Sequence, residues 1–221
     1  MPDNNPYTLK EEQSSAINEI YEKFNNNINP ICSLPTGKGK TIIVCNIIRD
    51  TIKQGYIQIL IVVRANNLVD PWITELNKFQ IKYELIHGKD RHEKIINEKY
   101  EIRKGDVILT SHNTATLDIE YILKIGRFDL LIIDEIHSFI NSKKITQMFK
   151  EFVKINATRK LFLSATPIQN RKEDLGLINI LLNNPEVLKH KPDELNKEIL
   201  DSAYKDALDK KNYYTTANHK S

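Results

Sequence analysis

Two stretches of this chain, "YIQILIVV" (56–63) and "FDLLIIDE" (128–135), contain unbroken apolar runs, Ile59–Val63 and Leu130–Ile133. A strand that is apolar on successive positions can turn neither face to water, so it belongs inside a sheet covered on both sides. Helical patterns fill the spaces between such strands. "LKEEQSSAINEIYEKF" places Leu9, Ala16, Ile20 and Phe24 on one helical face, and "KTIIVCNIIRDTIKQG" reads as a helix closed by Gly55. "NNLVDPWITELNKF" is a helix with Pro71 near its first turn. "INPICSL", "KYELIHG", "DVILTS" and "RKLFLSA" read as further strands. Helices are predicted over 89–104, over "SKKITQMFKEFVKI" (142–155) and over "RKEDLGLINILL" (171–182). This alternation predicts an open α/β fold: a mostly parallel sheet with helices on both faces.

The size, 221 residues and 25.7 kDa, suits one ordinary domain with a short appendage. We place the domain at residues 1–185. The charged tail, 186–221, is expected to be a helix followed by a disordered end. No apolar run approaches the roughly 18 residues of a membrane span, and the polar start "MPDNNPYTLKEEQ" has no apolar signal core. These features point to an intracellular setting. A net charge of +3 permits a nucleic-acid partner without requiring one, because the basic residues are interspersed with acidic ones. Cys32 and Cys45 form no metal or redox spacing and read as buried thiols.

In open α/β sheets, ligands sit beyond the carboxyl ends of the strands. Several polar clusters follow strands directly here, so one sheet edge carries them all. The first is "LPTGKGKT" (34–41). It ends as a phosphate-binding loop does, in Gly39-Lys40-Thr41, but has Leu34 where the usual pattern starts with glycine. Phosphate binding needs successive backbone N–H groups, a lysine for the β- and γ-phosphates and a hydroxyl for magnesium. Thr36, Gly37, Lys38 and Gly39 supply the turn, Lys40 the charge and Thr41 the hydroxyl at a helix N-terminus. Taken alone, the stretch is also readable as a basic, solvated turn after a buried strand.

The second cluster is Asp134-Glu135, two carboxylates at the end of an apolar strand. Charge there is costly unless it is paired or meets a metal. Asp134 suits the magnesium shell, and Glu135 suits activation of an attacking water. The alternative is a solvated strand end. The third cluster is "LFLSATPIQN" (161–170), a strand ending in Ser164 and Thr166 before Pro167.

With these motifs in order, the chain resembles the first RecA-like, ATP-binding domain of a superfamily 2 helicase or translocase. "PTGKGKT" is similar to motif I, "DEIH" to motif II of the DEAD/DEAH-box type and "SAT" to motif III. "ILIVVRANNLVDPWITELNKF" and "LSATPIQNRKEDLGLINILL" resemble the Snf/Swi-type DNA translocases. "LVDPW", "IIDEIHSFIN" and "LSATPIQN" look closest to the poxvirus nucleoside triphosphate phosphohydrolase I group and related helicases of large DNA viruses and cytoplasmic plasmids. The similarity spans residues 7–184, and its viral and plasmid side implies a cytoplasmic setting, or a viral factory or virion, before a nuclear one.

The resemblance implies ATP and Mg²⁺ as cofactors, with Lys40, Asp134 and Glu135 catalytic and Thr41 with Asp134 at the metal. It implies that Gln13 reads the adenine edge, and that His137, Ser164 and Thr166 couple the nucleotide to motif III. Arg64, Asn66 and Asn67 match the motif Ia region and Thr110 and Ser111 the Ib region, which in the family hold one nucleic-acid strand. The partner it implies is nucleic acid, double-stranded DNA by the Snf/Swi likeness. Trp72 reads as a packing residue of its helix.

Nothing after residue 185 resembles the family's second RecA-like lobe, whose arginine reaches across the cleft. A missing arginine of that kind is worth about 10³–10⁵ in rate. The chain is therefore expected to be a fragment, a split half or a truncated product, with weak or no ATP hydrolysis alone. The competing reading is a non-catalytic scaffold that holds ATP or nucleic acid in a transcription or replication assembly. A zinc protease or a serine hydrolase fits poorly, since neither H-E-x-x-H nor G-x-S-x-G occurs.

Overall fold

The structure, a computed structural model, describes residues 6–55, 58–64, 69–86, 107–136, 140–141, 144–145, 152, 154–165 and 213–215. In chain order its elements are α1 (Glu11–Asn25), β1 (Ile31–Ser33), α2 (Lys40–Lys53), β2 (Ile59–Val63), α3 (Val69–Lys78), β3 (Tyr83–Ile86) and β4 (Val107–Ser111). Then come α4 (His112–Leu117), α5 (Ile119–Ile125), β5 (Phe128–Ile133), β6 (Ile140–Asn141), β7 (Lys144–Ile145), β8 (Ala157–Ser164) and β9 (Tyr213–Thr215).

Seven strands form one sheet in the order β3-β4-β2-β5-β8-β1-β9, and every pairing in it is parallel. The period-2 geometry of a strand explains why the apolar runs are uninterrupted. In β2, Ile59, Ile61 and Val63 enter the core shared with α1, α2 and α3, while Leu60 and Val62 enter the core on the opposite face beside Ala115 and Ile122. β5 alternates the same way from Leu130 to Ile133, with Leu130 and Ile132 on one side and Leu131 and Ile133 on the other, while Phe128 at its start joins the second core. All five β2 residues are fully buried, at about 1.5–3 kcal/mol of hydrophobic stabilisation for each large side chain.

This is the open α/β sheet the sequence predicts. Three details differ. The helix predicted over 142–155 begins instead with an antiparallel hairpin, Ile140 opposite Ile145 and Asn141 opposite Lys144. The sequence reading assigns no element to 112–125, where two short helices lie. At Tyr213–Thr215, within the tail expected to end in disorder, a short parallel strand pairs with β1. β1 otherwise has one open edge, and an open row of N–H and C=O groups is a template for a β-prone segment. The helices predicted over 89–104 and 171–182 lie outside the described residues. Among the described residues no helix is long and apolar enough to cross a membrane.

Candidate functional site

β1 is short because it ends in the loop. Leu34 still belongs to the sheet: its N–H donates to the Ser164 carbonyl at 3.1 Å, and its side chain is buried in the core. The first glycine of the usual pattern is dispensable at this position, since the backbone is still extended and the turn comes later. Lys38 N–H closes that turn onto the Pro35 carbonyl at 3.2 Å. Gly37 and Gly39 both take left-handed backbone angles, φ 79° and 83°, which glycine adopts without strain.

Gly39 serves a second purpose. A Cβ there would collide with the Gln13 amide nitrogen, whereas a Cβ on Gly37 would meet open space. Gln13 is buried, accepts from Lys10 N–H at 3.0 Å and donates to the Lys38 carbonyl at 3.3 Å. Its amide thus fastens α1 to the back of the loop. The resemblance assigns Gln13 to the adenine edge; these two contacts engage one Oε1 lone pair and one Nε2 hydrogen and leave one of each.

α2 then starts at Lys40 with Gly39 as its N-cap, with no capping side chain and no acid in its first turn. A helix N-terminus so arranged leaves N–H groups and partial positive charge for an anion. The Lys40 ammonium folds back over the loop and donates to the Leu34 carbonyl at 2.7 Å. Thr36 and Lys38 are exposed at the lip, and Thr41 is half-buried.

Opposite the loop, β5 delivers Asp134 and Glu135. Asp134 is only 8% exposed. Its Oδ2 accepts from the Trp72 indole N–H at 3.0 Å, and its Oδ1 accepts from the Glu135 backbone N–H at 2.9 Å. Burial pushes its carboxyl up to about 6, and the neighbouring Glu135 charge adds to the rise. The Trp72 and Glu135 N–H bonds and the Lys40 charge oppose it. Glu135 has φ 54°, a left-handed angle that costs a non-glycine residue on the order of 1–3 kcal/mol. The turn aims its carboxylate at β8, where Oε2 accepts from Ala165 N–H at 3.3 Å.

Lys40, Thr41, Asp134 and Glu135 line one cavity of about 440 Å³ together with Thr36, Gly37, Gly39 and residues of α3. That donor set fits a magnesium nucleotide. Backbone N–H groups and an ammonium suit phosphate oxygens, and a hydroxyl plus a single carboxylate suits a cation that keeps waters and phosphate oxygens in its shell. No cluster of three or more His, Cys, Asp or Glu side chains suited to a metal occurs among the described residues. A lone carboxylate is all that this kind of site requires of the protein.

The remaining predicted positions divide. Arg64 is exposed at the end of β2. Ser164 is fully buried at the end of β8, in register with Ser33. His137, Thr166, Asn66 and Asn67 lie outside the described residues. Thr110 and Ser111 are corrected. Both are fully buried, Thr110 because it lies inside β4 between Ile86 of β3 and Val62 of β2. Ser111 caps α4, its Oγ accepting from Thr114 N–H at 3.3 Å. Neither hydroxyl is presented to a nucleic-acid strand.

Two residues of the site were missed by sequence reasoning. Trp72 was read as packing, and His112 was not singled out. His112 Nε2 lies 3.0 Å from the Asp134 carbonyl oxygen, which can only accept, so that nitrogen carries the proton. A tryptophan near the start of a helix that follows an interior strand was the available signal for Trp72. For His112 there was none.

Residues 6–169 match the family model described as "Type III restriction enzyme, res subunit". Among curated proteins, the chain is 28% identical over 183 residues to the ATP-dependent helicase fft2 of Schizosaccharomyces pombe, covering 80% of this chain and 14% of that protein. It is 24% identical over 180 residues to the chromatin-remodeling ATPase INO80 of Saccharomyces cerevisiae, covering 76% of this chain and 12% of that one. The chain thus spans less than a fifth of the length of these two relatives. Among solved structures, the SWI2/SNF2 ATPase core of Sulfolobus solfataricus in complex with dsDNA superposes with a TM-score of 0.76 at 21% identity, covering 97% of this chain and 45% of that one. The sheet and its helices thus have the fold of a SWI2/SNF2 ATPase core. The expected preference for a cytoplasmic or viral setting over a nuclear one is corrected by these relatives, since one of them is named for remodelling chromatin, which is nuclear.

Proposed function

The chain belongs to the family described as the res subunit of type III restriction enzymes, and on that premise we propose that it is the ATP-binding first lobe of a superfamily 2, Snf2-like DNA motor. Joined to a second lobe, it couples ATP hydrolysis to movement along double-stranded DNA. The observation that carries this reading is the single cavity lined by Lys40, Thr41, Asp134 and Glu135. The names of the relatives, ATP-dependent helicase and chromatin-remodeling ATPase, support the same activity. The solved core bound to dsDNA supports the choice of partner. From "LVDPW", "IIDEIHSFIN" and "LSATPIQN" alone, we keep the poxvirus phosphohydrolase group as the proposed subfamily.

In this reading the turn at Gly37 and Gly39 and the first N–H groups of α2 cradle the phosphates. Lys40 exchanges its bond to Leu34 for the β- and γ-phosphate oxygens. Thr41 and Asp134 would hold magnesium, which when bound would offset the charge on the transferred phosphoryl group. Glu135 orients a water in line with that group and takes its proton. The Ala165 N–H that meets Glu135 ties this base to the end of β8, so β8 senses whether the base is engaged. The domain boundary at 185 and a second lobe in cis or in trans belong to the same proposal.

The test is equilibrium binding of a non-hydrolysable ATP analogue with and without Mg²⁺, followed by turnover with DNA and an added second lobe. Lys40→Ala should abolish binding. Glu135→Gln should preserve binding and stop turnover. Normal turnover by Glu135→Gln would remove Glu135 as the base, and unimpaired binding by Lys40→Ala would remove the nucleotide site. Nucleotide binding with no turnover under any DNA or lobe condition would leave a scaffold instead of a motor.

A further inference from the structure

The sequence contains one tryptophan, Trp72. It is 2% exposed, and packing alone would account for its ring. Its N–H has a more specific task. A buried indole N–H must find an acceptor, and here the acceptor is Asp134 Oδ2 at 3.0 Å. The other carboxylate oxygen is held by Glu135 N–H at 2.9 Å, and the main-chain carbonyl of the same residue is held by His112 at 3.0 Å. Asp134 is therefore fixed from three directions, by α3, by its own turn and by α4. Each carboxylate oxygen keeps a lone pair for a further partner. Val69 and Leu76, on the buried side of α3, anchor the helix in the core. Neighbouring Pro71 lines the same cavity as Asp134.

We propose that Trp72 is a positioning residue of the metal site: its N–H sets the orientation of the Asp134 carboxylate and so makes magnesium affinity depend on the seating of α3. This rests on the reading of Asp134 as the magnesium carboxylate. Without the N–H, the carboxylate loses one of its two fixed contacts and rotates between orientations that do not all face Thr41. Partners that orient a metal ligand in this way typically contribute ten- to a hundredfold in metal affinity.

The experiment measures binding of a non-hydrolysable ATP analogue to the full 221-residue chain, with and without Mg²⁺, by titration calorimetry. Trp72→Phe should reduce the Mg²⁺-dependent gain in affinity by about ten- to a hundredfold, well beyond any change in the Mg²⁺-free affinity. Because Phe also removes ring volume, a second protein carries β-(3-benzothienyl)alanine at 72, an isostere with sulfur in place of N–H. It should show the same selective loss. In the wild-type chain the emission of the lone tryptophan should shift when Mg²⁺ is added to the nucleotide complex, and Asp134→Asn should abolish that shift. A full Mg²⁺ gain in the isostere overturns the proposal. So does an equal loss with and without Mg²⁺, which would make Trp72 a packing residue only. A wild-type chain that binds nucleotide with no Mg²⁺ gain sinks the metal assignment of Asp134 itself, an outcome distinct from a failure of Trp72 alone.

Discussion

Replacing Asp134 by asparagine should remove a pH dependence of stability that the wild-type chain carries. Burial raises the Asp134 carboxyl from its ordinary value of 3.8 to about 6, so the folded state favours the protonated acid. In the unfolded chain the group ionises near its ordinary value. Between those two values the folded protein binds more protons than the unfolded one, and stability falls as pH rises through the window. The sign is opposite to that of a salt-bridged aspartate, whose contribution grows over the same range. Roughly two powers of ten in proton affinity, at about 1.36 kcal/mol each, give a loss of about 3 kcal/mol once pH passes 7.

About half of that loss, roughly 1.4 kcal/mol, falls between pH 5 and 7.5. Asparagine also changes the bonds to Trp72 and Glu135, but that change is nearly independent of pH. The useful quantity is therefore the difference in unfolding free energy between wild type and Asp134→Asn, followed by urea denaturation across pH. Wild type should lose ground against the variant as pH rises. Saturating Mg²⁺ and nucleotide should cancel the loss, since a bound cation stabilises the ionised form. A difference that stays flat from pH 5 to 7.5, or that moves in favour of wild type, would refute the desolvated carboxylate.

Three further outcomes follow from the same geometry. Gly39→Ala should cost more stability than Gly37→Ala, because both angles are left-handed but only Gly39 has the Gln13 amide against it; thermal melts of the two variants decide this, and equal losses would deny that Gln13 braces the loop. Thr110→Val should stabilise the chain by about 1 kcal/mol, since its buried Oγ1 has no hydrogen-bond partner among the described residues, and it should leave DNA affinity unchanged in a gel-shift titration; weakened DNA binding would restore Thr110 to the interface. Glu135→Gly should be more stable than Glu135→Ala by about 1 kcal/mol in urea titrations, because both lack the carboxylate and only alanine keeps the strain of φ 54°.

The sequence by itself determined the sheet and the edge at which chemistry gathers. Short apolar runs such as Ile59–Val63, rich in β-branched residues and set between helical patterns, read as strands covered on both faces. Phosphate recognition by main-chain N–H groups is equally local: it needs glycines at the turn and a helix that begins at once, and Gly37 to Thr41 state this directly. Contacts distant in sequence left no such trace. Trp72 and Asp134 are 62 residues apart, and Gln13 meets the loop from 25 residues away; neither pairing imposes a period or a spacing on the sequence. Thr110 and Ser111 looked available because they end a strand. Only the neighbouring strands and the following helix decided that one hydroxyl would be enclosed and the other would cap a helix. Local backbone requirements are written in residue order, whereas the partner of a buried polar atom is chosen by whatever the fold brings beside it.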